Sequence, residues 1–146
     1  MATSTESAPE PRPLVVDCSV CLPWFLPDER NGTAEHLLDR VDRFDFWAPP
    51  IWSLELGNAL CLAKRRKRLP DEHWRRALAN ADRLPVRIDP WIPQVAEIGE
   101  LAARHGLTTY DATYLELALR RRFALATADA DLARAARDSG AELITD

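Results

Sequence analysis

Apolar positions along the chain follow two periods: short unbroken runs, which read as buried strands, and stretches repeating every three to four residues, which read as helices. Leu14-Val15-Val16 is such a run, closed by Asp17. Ser19 to Phe25 predicts a short helix, with Pro23 in its first turns, where a missing N–H costs least. Asp28 to Gly32 reads as a turn. Thr33 to Arg43 places Ala34, Leu37, Leu38 and Val41 at helical spacing. Phe44 to Ala48 is a second strand, stopped by Pro49-Pro50. Ser53 is placed to cap a helix running to about Arg68, with Leu56, Ala59, Leu60 and Ala63 as its apolar stripe. Pro70-Asp71 opens another helix, to about Leu84.

Val86-Arg87-Ile88 predicts a brief strand, and Ile92 to His105 a helix whose end at Gly106 suits a left-handed cap. Asp111 to Arg122 carries Tyr114, Leu115, Ala118 and Leu119 on one side. Phe123 to Thr127 is a strand, Ala130 to Asp138 a helix ended by Ser139-Gly140, and Ala141 to Thr145 a last strand. Strand and helix alternate throughout, the pattern of an α/β fold with a mostly parallel sheet between helical layers. No repeat or linker interrupts it, so residues 14–146 read as one domain. Residues 1–13, polar and carrying Pro9, Pro11 and Pro13, read as a disordered N-terminal tail with no apolar leader segment.

Composition narrows the class. The 47% apolar and 29% charged residues are those of a water-soluble globular domain, and no apolar run approaches a membrane span. Three cysteines without a leader argue for a reducing, cytoplasmic setting over a disulfide framework. The net charge of −4 is opposite to what a duplex-binding module uses. A nucleic-acid enzyme of this charge needs local basic patches and a cation over its acidic centre.

Position selects among the many acids. In a parallel α/β sheet, ligands bind beyond the carboxyl ends of the strands. Asp17 follows the first strand, and Asp129 lies just past the strand ending at Thr127. Asp111 starts the helix leading to that strand, and Glu55 sits in the first turn after the second strand. All four fall on one sheet edge. Crowded carboxylates repel and desolvate one another, and Mg²⁺ or Mn²⁺ relieves this through oxygen ligands and serves phosphodiester cleavage. Each acid also has a plainer reading: Asp17, Asp111 and Asp129 as helix caps, Glu55 as a first-turn acid favoured by the helix dipole. Asp131 competes with Asp129 for the fourth place.

These segments resemble the PIN-domain nucleases, and more narrowly the VapC-type toxins of VapBC toxin–antitoxin pairs. The likeness rests on Leu14-Val15-Val16-Asp17-Cys18-Ser19, on Pro49 through Glu55 to Asn58, on Tyr110-Asp111-Ala112-Thr113-Tyr114, and on Thr127-Ala128-Asp129-Ala130-Asp131-Leu132. Cys18 stands where threonine is usual. The resemblance implies a three-layer α/β/α domain and Mg²⁺- or Mn²⁺-dependent endoribonuclease activity. It implies metal binding by Asp17, Asp111 and Asp129, completion of the site by Glu55, and support from Ser19, Asn58 and Thr127. It also implies an RNA substrate, a homodimer and a VapB-like antitoxin.

Other signals compete. Cys18 and Cys21 form a C-x-x-C after a strand, where a redox pair would sit, although two buried cysteines are the simpler reading. Lys64 to Arg68 and Arg120 to Arg122 end helices, where cations suit the dipole. Lys64, Arg65 and Arg75 are candidate RNA contacts. Trp24, Trp47, Trp52, Trp74 and Trp91 could stack on unpaired bases or serve as core anchors. Two other functions stay open: phosphoryl transfer through Asp17 as nucleophile, and a decayed interaction module.

Overall fold

The protein is described here by a computed structural model covering residues 7–145. Five parallel strands form one sheet in the order β3-β2-β1-β4-β5. They are β1 (Arg12–Val16), β2 (Phe44–Ala48), β3 (Val86–Ile88), β4 (Ala124–Ala126) and β5 (Leu143–Ile144). Among the described residues the seven α-helices are α1 (Cys18–Cys21), α2 (Gly32–Leu38), α3 (Ile51–Arg65), α4 (Asp71–Asp82), α5 (Val95–His105), α6 (Thr109–Arg121) and α7 (Ala130–Asp138). The architecture is the expected three-layer α/β/α arrangement. The expected tail, 1–13, differs from what is seen at its end: Arg12 and Pro13 already belong to β1, in register with Phe44 and Asp45. Residues 1–6 lie outside the described ones.

The sheet order fixes where a ligand can sit. The chain builds outward from β1 through β2 to β3, then returns across β1 to lay β4 and β5 on the other side. Strand order reverses between β1 and β4, and a crevice opens beyond the carboxyl ends of strands at such a reversal. Leu14, Val15 and Val16 pair with Ala124, Leu125 and Ala126 there, all of them buried. Both strands are apolar on both faces because helices cover both. Phe46, Leu56, Leu60, Tyr114, Leu115 and Leu132 complete this core.

Helix boundaries depart from expectation where backbone chemistry overrides side-chain period. α2 stops at Leu38, and Val41–Arg43 forms a separate 3₁₀ turn, so the apolar spacing through Val41 spans two elements. α3 begins at Ile51 with Pro50 as its cap residue, not at Ser53. Glu55 therefore lies beyond the first turn. α5 begins at Val95 because Pro93 keeps the chain extended before it. α6 begins at Thr109, capped by the Thr108 side chain, which accepts from the Asp111 N–H at 3.1 Å. The Gly106 cap is present, at φ 66°. Two cationic residues, Lys67 and Arg122, also take left-handed backbone at helix ends, at φ 56°.

Leu125 is fully buried on a central strand. Leu125→Ala should lower stability by about 3 kcal/mol, read as a drop in urea midpoint at unchanged m-value; a shift under about 1 kcal/mol would mean this strand is not the rigid centre described.

Candidate functional site

The site begins with one carboxylate. Asp17 is the residue after β1 and is only 5% exposed. Its Oδ1 accepts from the Ser19 N–H at 3.0 Å and from the Ser19 hydroxyl. Its Oδ2 accepts from the Thr127 hydroxyl at 2.7 Å. Each hydroxyl is fixed by the loop after β4: Ser19 Oγ accepts from the Ala128 N–H at 2.8 Å, and Thr127 Oγ1 from the Asp129 N–H at 3.0 Å. The two strands at the reversal are thus tied together through the functional groups themselves. Asn31 adds a brace missed in the sequence, donating from Nδ2 to the Ser19 carbonyl at 3.1 Å while capping α2 through Oδ1. The sequence places Asn31 in a turn, and neither its cap nor its bond to another helix was read there.

These hydrogen bonds favour the ionised carboxylate, yet burial outweighs them and pushes the Asp17 carboxyl up to about 6. The Asp111 charge pushes the same way. Asp111 sits in the first turn of α6, partly buried, and is itself raised by burial and then by the charges of Asp129 and Asp131. Glu55 is raised by burial and by Asp111, against a 2.7 Å hydrogen bond donated by the Tyr114 hydroxyl. Burial drives the Tyr114 phenol far upward, so it remains a neutral donor. Its anchoring of Glu55 was not read from the sequence, where it appeared as a core position.

Asp17, Glu55, Asp111 and Asp129 thus share one electrostatic neighbourhood. Capping, the plainer reading, is also real for two of them: Asp17 caps α1, and Asp129 Oδ1 accepts from the Leu132 N–H at 2.8 Å to cap α7. Asp111 is capped by Thr108 and is not itself a cap. Asp131 is exposed and engaged by Arg134 at 2.7 Å. Asn58 is exposed one turn beyond Glu55 on α3. Lys64 lies about 14 Å further along α3 than Glu55, resting 4.0 Å from the Trp74 ring centre and 3.7 Å from Asp71. Arg65 and Arg75 are exposed.

Does the site suit a divalent cation? Among the described residues, none of the ion pairs neutralises Asp17, Glu55, Asp111 or Asp129. Among the same residues no three acids stand in ready coordinating geometry. The donors are all hard oxygen, mutually repelling and short of positive charge, which fits Mg²⁺ or Mn²⁺ and excludes a soft, thiol-preferring ion.

The cysteine pair has the opposite character to a redox site. Cys21 is fully buried and its thiol is pushed up by burial. Burial and the Glu55 charge push Cys18 to about 12. A reactive thiolate needs a lowered value. Cys18 instead packs into the site wall, its Sγ 3.6 Å from the Trp52 carbonyl and 4.0 Å from the Tyr114 hydroxyl.

The PIN domain family model matches residues 14–138. This chain belongs to the PIN-domain family. PIN domains are typically metal-dependent nucleases, and in this one Asp17 closes the strand beside the reversal described above. The chain is similar in fold to FitAcB from Neisseria gonorrhoeae, with 19% identity, a TM-score of 0.65, and 90% of this chain and 96% of that one covered. It is also similar to PAE2754 from Pyrobaculum aerophilum, with 21% identity, a TM-score of 0.62, and 85% and 84% covered. No curated protein sequence matches it significantly. Among the described residues no helix is long and apolar enough to cross a membrane.

Repulsion sets a measurable sign. The Asp111 carboxyl is raised in the folded state, so its penalty is full above that raised value and gone below the ordinary value near 4. In chelator at pH 7, Asp111→Asn should raise the melting midpoint by roughly 2 °C, and the gain should vanish as the pH falls toward 4. A loss of stability at pH 7 would show that Asp111 is not crowded by like charge.

Proposed function

We propose that this PIN domain is a Mg²⁺- or Mn²⁺-dependent endoribonuclease, with Asp17, Asp111 and Asp129 as its metal ligands and Glu55 as its fourth acid. The observation that carries this reading is the un-neutralised carboxylate cluster at the strand reversal, with Asp17 buried although nothing cationic faces it. A divalent ion held at these oxygens would supply charge neutralisation for the phosphate and an acidified water for attack. The chain's own part is to orient and to move protons. Ser19 and Thr127 lock both oxygens of Asp17, fixing its direction before substrate arrives. Glu55, raised by burial and held by Tyr114, would take a proton from the attacking water.

Charge weighs against the aspartyl-nucleophile reading. Among the described residues no cationic side chain pairs with Asp17 to hold a phosphoryl group beside it, while Oδ2, which accepts only from Thr127, keeps a lone pair for a cation. A decayed module would have no reason to keep four uncompensated acids in one place, at a cost in stability.

The same reading assigns the chain to a type II toxin–antitoxin pair, as a VapC-type toxin acting in the cytoplasm as a homodimer. Its VapB-like antitoxin would silence it by inserting a C-terminal segment into the acidic groove. A segment bearing a cation would meet the charge deficit directly.

Three measurements test the proposal. Asp17→Asn and Asp111→Asn should each abolish Mg²⁺-dependent cleavage of single-stranded RNA while the circular-dichroism spectrum stays native; full activity in either variant removes that residue from the site. Calorimetric titration with Mn²⁺ should show binding to the wild type and none to Asp17→Asn. Tyr114→Phe should lower kcat about tenfold with KM little changed, since it frees Glu55 without removing it; an unchanged kcat would show that Glu55 takes no part.

A further inference from the structure

A cleft walled by apolar and aromatic groups lies next to the segments that carry Glu55 and Asp111. It encloses about 320 Å³ between the start of α3, the loop after β3 and the face of α6, within the range of small-ligand sites. Two wall residues are chain neighbours of the site acids: Leu54 precedes Glu55, and Tyr110 precedes Asp111. Trp91 forms another wall and is 51% exposed. The other tryptophans are used elsewhere. Trp24 donates to the Ala34 carbonyl, Trp47 packs on Phe123 and under Arg121, Trp52 is buried in the core, and Trp74 lies under Lys64.

The floor is polar and rigid. Asp89 is buried, accepting from Arg120 at 2.9 Å, Arg121 at 2.9 Å and the Trp91 N–H at 3.0 Å. The last bond pins the loop that presents the Trp91 ring. Arg120 also donates to Glu116 at 2.7 Å and lies 5.9 Å from the Trp91 ring centre. The cleft therefore combines exposed aromatic faces with charged side chains fixed to one another, and two of its wall residues are chain neighbours of the acids. Flat π-faces above a hydrogen-bonding floor suit a nucleobase, which offers a face to stack and an edge to bond.

We propose that this cleft binds one unpaired base of the RNA strand whose phosphate lies at the acid cluster, with Trp91 as its stacking face. The inference rests on the ribonuclease reading and adds to it a subsite and a requirement for single-stranded substrate. Arg120 and Glu116 act as positioning residues, holding the floor while Trp91 carries the contact. The flanking exposed side chains Leu54, Ile92 and Tyr110 widen the apolar rim.

The test uses the full chain and a short single-stranded RNA whose wild-type cleavage point has been mapped, remade with one abasic ribose at each position in turn. In the wild type one abasic position should lower kcat/KM roughly tenfold. Trp91→Ala should lose a similar factor on the intact RNA and lose nothing further at that abasic position, whereas Trp91→Phe should recover most of the activity. Mn²⁺ binding should be the same in all three proteins. An abasic penalty that persists undiminished in Trp91→Ala would overturn the subsite while leaving the nuclease reading intact. If the wild type cuts no RNA, the ribonuclease reading fails by itself, and fluorescence anisotropy of a labelled single-stranded RNA in chelator still decides the cleft: equal affinity in wild type and Trp91→Ala overturns it. Sedimentation supplies the rival outcome. If Trp91→Ala turns a dimer into a monomer and activity falls only with dissociation, the cleft seats a second copy of this chain and no base.

Discussion

A buried carboxylate without a counter-charge is the constraint around which this fold is arranged. Asp17 closes the central strand at the point where the strand order reverses. It receives hydrogen bonds from both sides of that reversal, and still its carboxyl sits near 6. Keeping it ionised at neutral pH costs on the order of 3 kcal/mol, a large part of a domain's net stability. The backbone cannot relax this cost by moving Asp17 outward, because Leu14, Val15 and Val16 are pinned in the core between β2 and β4. The hydroxyls of Ser19 and Thr127 stiffen the carboxylate without neutralising it.

Much of this could be read in the sequence because the rule used there was topological. Strand ends and helix starts in a parallel α/β sheet share an edge, so Asp17, Asp111 and Asp129 could be grouped without knowing a single distance. Of the caps, Asp17 and Asp129 were read, their short side chains reaching the first free N–H groups of the next helix, whereas Asn31 and Thr108 were not, and Asp111 and Ser53, read as caps, are not caps. What could not be read were contacts between side chains distant in sequence. Tyr114 on Glu55 and Asn31 on the Ser19 carbonyl depend on how helices pack, and no local pattern encodes them. Proline placement moved the start of α3 ahead of Ser53 and that of α5 behind Ile92, which the side-chain period alone does not anticipate.

The basic runs show the same limit from the other side. Arg120 and Arg121 close α6, where the helix dipole would place cations in any case. In the folded chain they are partners of Asp89, and Arg121 also rests on Trp47 and Phe123. Lys64 covers Trp74. These cations, which in sequence look free for RNA, are partly spent on apolar faces and on a buried acid. A protein of net charge −4 with Lys64, Arg120 and Arg121 so engaged has little general attraction for a polyanion, so recognition falls to local features.

Asp89 sharpens the meaning of Asp17. Each follows a strand at the same sheet edge, each is almost fully buried, and each would pass the positional rule that selected the site acids. Burial pushes both carboxyls upward. At Asp89 the hydrogen bonds from Arg120, from the Trp91 N–H and from Arg121, together with the Arg120 charge, override burial and hold the carboxyl below its ordinary value. At Asp17 the donors are neutral and the neighbouring charge is another acid, so burial wins. Position therefore nominates a strand-end acid, and the sign of its counter-charge decides its use. An acid met by two guanidiniums is a structural clamp, here for the loop that carries Trp91. An acid met only by hydroxyls and other carboxylates is one whose charge the protein has left for something else to balance.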